Sequence, residues 1–152
     1  VLTADCVPIL IYDEVNQIIA SIHAGWRGAI NGIIENTLNE MKKISKNGKI
    51  NVAIGPCINI ENYEVGQEFY VKFIQLSKKN EVFFLPIKKN KFLFDLRKYV
   101  NSKFEKLNVN YVENIDFDTF SENKNFFSFR RSKQLDEHDY GRCISVISLI
   151  ND

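Results

Sequence analysis

The stretch Val7-Pro8-Ile9-Leu10-Ile11-Tyr12-Asp13-Glu14-Val15-Asn16-Gln17-Ile18-Ile19-Ala20-Ser21-Ile22-His23 decides the fold. Residues 7–12 form a continuous apolar run, the polar Asp13, Glu14 and Asn16 interrupt it, and residues 17–23 resume it. Two apolar runs of strand length across a short polar turn predict a β-hairpin. Ala24-Gly25-Trp26-Arg27-Gly28 then breaks the pattern. From Ile30, the positions Ile33, Ile34, Leu38, Met41 and Ile44 recur at helical spacing, so an amphipathic helix is expected to run to Asn47-Gly48.

Working outward, residues 50–54 read as a buried strand ending at Gly55-Pro56, and Phe69, Phe73, Ile74 and Leu76 mark a helix after Gly66. Residues 82–85 and 92–94 read as strands. Leu96, Tyr99, Val100, Phe104 and Leu107 mark a further helix, with Asp95 at its N-cap. Strands at 111–115, 126–129 and 143–150 complete the series. Strands and helices interleave, but the first two strands are adjacent. The expected class is therefore α/β (α+β), with a mixed rather than a purely parallel sheet covered by helices.

Composition bounds the chemistry. The chain has 152 residues, with 20 basic against 19 acidic side chains and a net charge of +1. That length suits a single domain. The near-zero charge offers no field for nucleic acid or an anionic membrane. No apolar run approaches the roughly 18 residues of a membrane span, and no signal peptide is legible. Three cysteines cannot all pair with one another, so a reducing, cytoplasmic setting is expected. Only two histidines are present, which rules out any mechanism needing many imidazoles. Residue 1 is Val, the only Met is Met41, and the chain opens directly into an apolar run, so the ordered region is expected to begin upstream.

Thr3-Ala4-Asp5-Cys6 leads into the first strand. A lone Cys there is usually a small core hydrophobe. With the hairpin turn at Asp13 to Asn16, however, Cys6 and His23 return to the same open end. Directly opposed residues lie about 5 Å apart, which suits two ligands of one metal or a nucleophile–base pair. The Gly25 and Gly28 turn allows positive φ and close backbone approach and presents a helix N-terminus to an anion, with Arg27 gripping phosphate or carboxylate; a tight turn with Trp26 on the core and Arg27 solvated is the plainer reading. In Phe126-Phe127-Ser128-Phe129-Arg130-Arg131, strand alternation would set Ser128 and Arg130 on one face, as an anion site or as a solvated edge. Cys57 and Cys143 read as structural, and His138 as solvated.

Thr-Ala-Asp-Cys followed by His-Ala-Gly-Trp-Arg-Gly resembles the YfiH family, also called the laccase-domain or polyphenol-oxidase-like family. Ile54-Gly55-Pro56-Cys57-Ile58, Tyr63-Glu64-Val65-Gly66, Phe94-Asp95-Leu96, Phe127-Ser128-Phe129-Arg130-Arg131 and Gly141-Arg142 follow in family order, covering residues 3 to about 149. The resemblance implies one YfiH-like domain over 1–152, lacking its N-terminal portion, with mixed sheets under helices. It also implies a zinc held by one Cys and two His, matching Cys6 and His23, with the remaining His upstream of residue 1. Asp118-Thr119 departs from the Cys-Thr of many members.

The activity implied is purine nucleoside phosphorolysis of adenosine, inosine, guanosine and methylthioadenosine, with adenosine deamination. Deamination would use an activated water at the purine C6. Phosphorolysis would use Arg27 with Arg130 to hold phosphate near the ribose C1′. Asp5 would be a proton acceptor or would cap the strand turn. The family's older name implies copper and phenol oxidation, but two histidines cannot furnish a multicopper ligand set. The alternatives are a metal-free hydrolase with Cys6 as nucleophile and His23 as base, and a catalytically incomplete binding module. The oligomeric state is open.

Overall fold

The computed structural model describes residues 1–107 and 109–150. The hairpin is present: β2 (Val7–Asp13) pairs antiparallel with β3 (Ile18–Ala24), in register from Val7↔Ala24 to Asp13↔Ile18. Asp13 fixes the turn. Its buried carboxylate accepts from the amides of Val15 (3.0 Å), Asn16 (3.2 Å) and Lys49 (3.2 Å), and from the Ser45 hydroxyl. One acidic side chain thereby ties the turn to the segment entering the next strand.

That strand, β4 (Ile50–Ile54), pairs antiparallel with β2, and β8 (Tyr111–Asn114) pairs parallel with β4. The sheet order β3-β2-β4-β8 is mixed, as the adjacent first strands require. A second, antiparallel sheet joins β5 (Glu64–Gly66), β7 (Lys91–Phe94) and β6 (Phe84–Lys88) in that order. The short β1 (Leu2–Thr3) pairs antiparallel with β9 (Cys143–Ile144), bringing the two ends of the described chain together.

Helices α2 (Ile33–Ile44), α3 (Gln67–Leu76) and α4 (Leu96–Phe104) follow most of the predicted periodicity, burying Ile34, Leu38, Met41, Phe73, Val100 and Phe104, whereas the predicted Ile44 and Leu76 are exposed at the last turns and Leu107 lies beyond α4. Asp95 caps α4 by accepting from the Lys98 amide at 2.8 Å. The core joins the aliphatic inner face of β2, β3 and β4 to an aromatic cluster around Phe73, Phe84, Phe94 and Tyr99. Each such fully buried side chain contributes about 1.5–3 kcal/mol relative to exposure. Among the described residues, no helix is long and apolar enough to cross a membrane.

Four expectations are corrected. The helix from residue 30 is two helices, α1 (Trp26–Ile30) and α2, because Gly32 adopts φ 82° and ends the first turn of helix. Lys78–Phe83 is a 3₁₀ segment, so the strand predicted from residue 82 starts at Phe84 instead. Residues 126–129 are not a strand. Ser128 accepts from the Arg131 amide (3.1 Å) and caps the helix α5 (Phe129–Gln134). Of residues 143–150 only Cys143–Ile144 form strand, extended by a pair of backbone bonds between Ser145 and Val1, and Val146 and Ile150 are exposed. An apolar run reads as a strand whether or not a neighbour is there to pair with it.

Candidate active site at the open end of the hairpin

The last register pair of the hairpin is Val7↔Ala24, so one step outward Cys6 faces Gly25. A Cβ on Gly25 would stand 2.9 Å from the Cys6 sulfur. Gly25 has φ −73° and only Gly32 among the glycines is left-handed, so this turn does not use the positive φ its glycines allow. Glycine is needed at 25 for close approach, not for backbone freedom. His23 pairs with Pro8, which makes it diagonal to Cys6 rather than opposite. Diagonal neighbours are about 7–8 Å apart instead of about 5 Å. His23 is exposed and Cys6 half-buried.

Asp5, just before, is the left-handed residue, at φ 80°. Its carboxylate is buried and both oxygens are engaged. One accepts from the Thr119 hydroxyl at 2.8 Å and the other from the Arg130 amide at 2.6 Å. The Asp5 carbonyl accepts from the Ile58 amide at 3.0 Å. The Thr-Ala-Asp-Cys turn is thus clamped to three distant segments, and α5 is delivered to the site by the Asp5 side chain.

Cys6 opens into a cavity of about 410 Å³ that is also lined by Asp5, Trp26, Tyr63, Phe69 and Arg130. Its walls are packed rings: Trp26 and Phe69 lie 4.8 Å apart between centroids, and Tyr63 and Phe69 6.1 Å. Arg130 donates from Nη1 to the Glu64 carbonyl at 2.9 Å and lies 5.4 Å over the Tyr63 ring. Among the described residues it has no carboxylate ion-pair partner. Glu64, at the rim, is paired with Lys91 (2.9 Å) and Lys88 (3.6 Å), which hold its carboxyl below the usual range. Burial, with the nearby Asp5 charge, pushes the Cys6 thiol up to about 11. Burial likewise raises the Tyr63 phenol.

The cavity therefore brings Asp5, Cys6 and Arg130 together. His23 does not line it, and Arg27, exposed and stacked 4.7 Å over Trp26, lines a neighbouring groove. Ser128 is buried and spent on capping α5, and α1 is too short to offer the anion site expected of a helix start. His138 is exposed and Cys57 fully buried, as predicted. Asp118 accepts from the Asn59 (3.0 Å), Phe120 (3.1 Å) and Ser121 (3.2 Å) amides and from the Asn62 side chain (2.6 Å). Burial opposes its charge, but these bonds and that of the Ser121 hydroxyl prevail and hold the carboxyl below its ordinary value. Asp118 is a knot for the loop. The aromatic wall residue Phe69 carried no site signal in the sequence, because a ring at helical spacing reads as core.

Cys and His are good zinc donors, yet a catalytic zinc takes three protein ligands. Among the described residues, no group of three or more His, Cys, Asp and Glu side chains is placed to hold a metal ion. Cys6 and His23, brought to one end of the hairpin, are two of the three protein ligands that such a zinc needs.

Comparison with known proteins places this geometry in context. Residues 1–150 match the family model described as multi-copper polyphenol oxidoreductase laccase. A purine nucleoside phosphorylase of Rickettsia conorii is 39% identical over 148 residues, covering 95% of this chain and 60% of the relative. Purine nucleoside phosphorylase YfiH of Escherichia coli is 33% identical over 150 residues, covering 99% and 58%. The chain thus spans about 60% of the length of these curated relatives. Among solved structures, a Neisseria meningitidis protein superposes with TM-score 0.77 at 33% identity, covering 86% of this chain and 53% of its own. YlmD of Geobacillus stearothermophilus gives TM-score 0.79 at 25% identity, covering 93% and 53%. With the match running essentially from end to end, the chain belongs to the YfiH family, the family described as multi-copper polyphenol oxidoreductase laccase.

Proposed function

We propose that the chain carries the nucleoside and phosphate site of a purine nucleoside phosphorylase. The observation that carries this reading is the Cys6 cavity, where ring-lined walls meet a guanidinium with no carboxylate partner among the described residues. Aromatic faces suit a purine, and Arg suits the bidentate grip of a phosphate. The names of the longer relatives point the same way.

In this reading Arg130 holds phosphate beside the ribose. A phosphate oxygen forms the new bond to C1′ as the C1′–N9 bond breaks. The bonding pair leaves with the purine, which takes up the proton released by dihydrogen phosphate. Asp5 acts as a positioning residue: both its oxygens already serve Thr119 and Arg130, so it sets the start of α5 rather than accepting a proton. Inosine, guanosine, adenosine and methylthioadenosine are the substrates proposed.

Cys6 and His23 are further proposed as two ligands of a zinc whose remaining ligand lies outside the described residues. Bound there, the metal would supply Lewis acidity, and adenosine deamination would depend on it. The metal-free alternative is a Cys–His hydrolase, in which His23 would have to close its diagonal offset from Cys6, as it would to share a zinc with it. Phenol oxidation by several coppers fits the donor set least. The test is formation of hypoxanthine and ribose 1-phosphate from inosine and phosphate by the wild type, Cys6→Ala and His23→Ala. Loss of product in both variants supports the assignment, and undiminished turnover in both removes it. Nucleoside binding without turnover in the wild type would favour a binding module instead.

A further inference from the structure

Trp26 separates the Cys6 cavity from a groove of about 430 Å³ on its other side. Two cations line that groove and both approach the same indole, Arg27 at 4.7 Å and Lys72 at 5.3 Å from the ring centroid. Asn31 and Gln75 line it as well, and no acidic residue does among the described residues. Neither cation forms an ion pair among the described residues, not even Lys72 with Glu68 one turn earlier on α3.

Two like charges held against one ring repel each other, and each is already ordered by its contact with the indole. A dianion between them relieves the repulsion at little further ordering cost, and the two amides offer neutral donors to its remaining oxygens. We propose that this groove is an oxyanion site, distinct from the Cys6 cavity, that binds a phosphoryl dianion between Arg27 and Lys72. Two sources share that chemistry: inorganic phosphate, and a phosphate monoester whose organic part rests on the apolar Ile30 and Leu76 at the groove wall. Lys72 is thereby a binding residue, and Arg27 serves the groove rather than the cavity. The inference stands independently of the phosphorylase reading, since binding needs no turnover.

Trp26 is the sole tryptophan and borders both the groove and the Cys6 cavity, so its emission reports either site and the variants at Lys72 and Arg130 tell them apart. The protein is titrated at constant ionic strength with inorganic phosphate and, separately, with ribose 5-phosphate, following emission and, on the same samples, heat. Saturable binding is expected for at least one of them. Lys72→Gln, at an exposed position, is expected to weaken it about tenfold or more, as loss of a charge-assisted bond does. Arg130→Lys weakens phosphate held in the Cys6 cavity, and the component lost in Lys72→Gln is expected to persist in it. Preference for ribose 5-phosphate assigns the groove to esters, and equal or better binding of phosphate assigns it to the free ion. Absence of saturable binding by both readouts, an unchanged affinity in folded Lys72→Gln, or loss of the Lys72-dependent component in Arg130→Lys would each overturn the proposal.

Discussion

The Cys6 sulfur occupies the space that a side chain at Gly25 would need: a Cβ there would lie 2.9 Å from Sγ. Because Gly25 has an ordinary extended backbone, this contact isolates the steric demand of the sulfur from any conformational one. Gly25→Ala is expected to cost about 1–3 kcal/mol by overpacking. Adding Cys6→Ala removes the obstruction, so the double variant should recover most of that loss. Thermal or urea unfolding of the four proteins measures the coupling, and additive losses would show that the sulfur is not the obstacle.

Asp5 combines a left-handed backbone with two buried acceptor bonds. Asn tolerates that backbone and keeps one acceptor, whereas Ala keeps neither. Asp5→Ala should therefore lose about 2–4 kcal/mol, combining backbone strain with two abandoned donors, and Asp5→Asn distinctly less. If Asp5 positions rather than transfers a proton, Asn also retains turnover with an unshifted pH profile.

Cys6 is held neutral by burial and by the Asp5 charge, with its thiol at about 11. The thiolate is the reacting form, so alkylation of the metal-free protein should rise with pH toward 11. An ordinary thiol would level off above about 8.5. Peptide mapping separates Cys6 from the buried Cys57 and from Cys143. A plateau near the ordinary value would show that the burial described around Cys6 is wrong.

Asp13 supplies an acid-dependent share of stability. Burial opposes its charge, but hydrogen bonds from Ser45, Asn16 and Lys49 outweigh that and lower its pKa in the folded state. A carboxyl with a depressed folded pKa stabilises above its unfolded value of about 3.9 and loses that contribution as pH falls through the folded one. Asp13→Asn should lower the melting temperature at neutral pH and flatten its fall below pH ~4. Parallel acid limbs in the two proteins would contradict the role given to Asp13.

The hairpin, α2 beyond Gly32, α3, α4 with its Asp95 cap and the mixed sheet were legible because each rests on local periodicity or a local cap. The gathering of Asp5, Cys6 and Arg130 was only half legible. The hairpin returns Cys6 and His23 to one end, but their diagonal offset depends on register, which a hydrophobic pattern sets only to the nearest pair. Arg130 reaches the cavity because Asp5 grips its amide across 125 residues, a contact with no local signature. Residues 126–129 failed for a related reason: four residues satisfy strand alternation as readily as the cap and first turn of α5.

Arg130 is proposed to hold the phosphate consumed in the Cys6 cavity. The most direct test of this role is the phosphate dependence of inosine cleavage in wild type and Arg130→Gln, with folding checked by thermal melts. The account expects phosphate-dependent release of hypoxanthine by the wild type, and in the variant a KM for phosphate raised about tenfold or more with a smaller change for inosine. Cleavage with an unaltered phosphate KM in the folded variant, or none at all by the wild type, would contradict it.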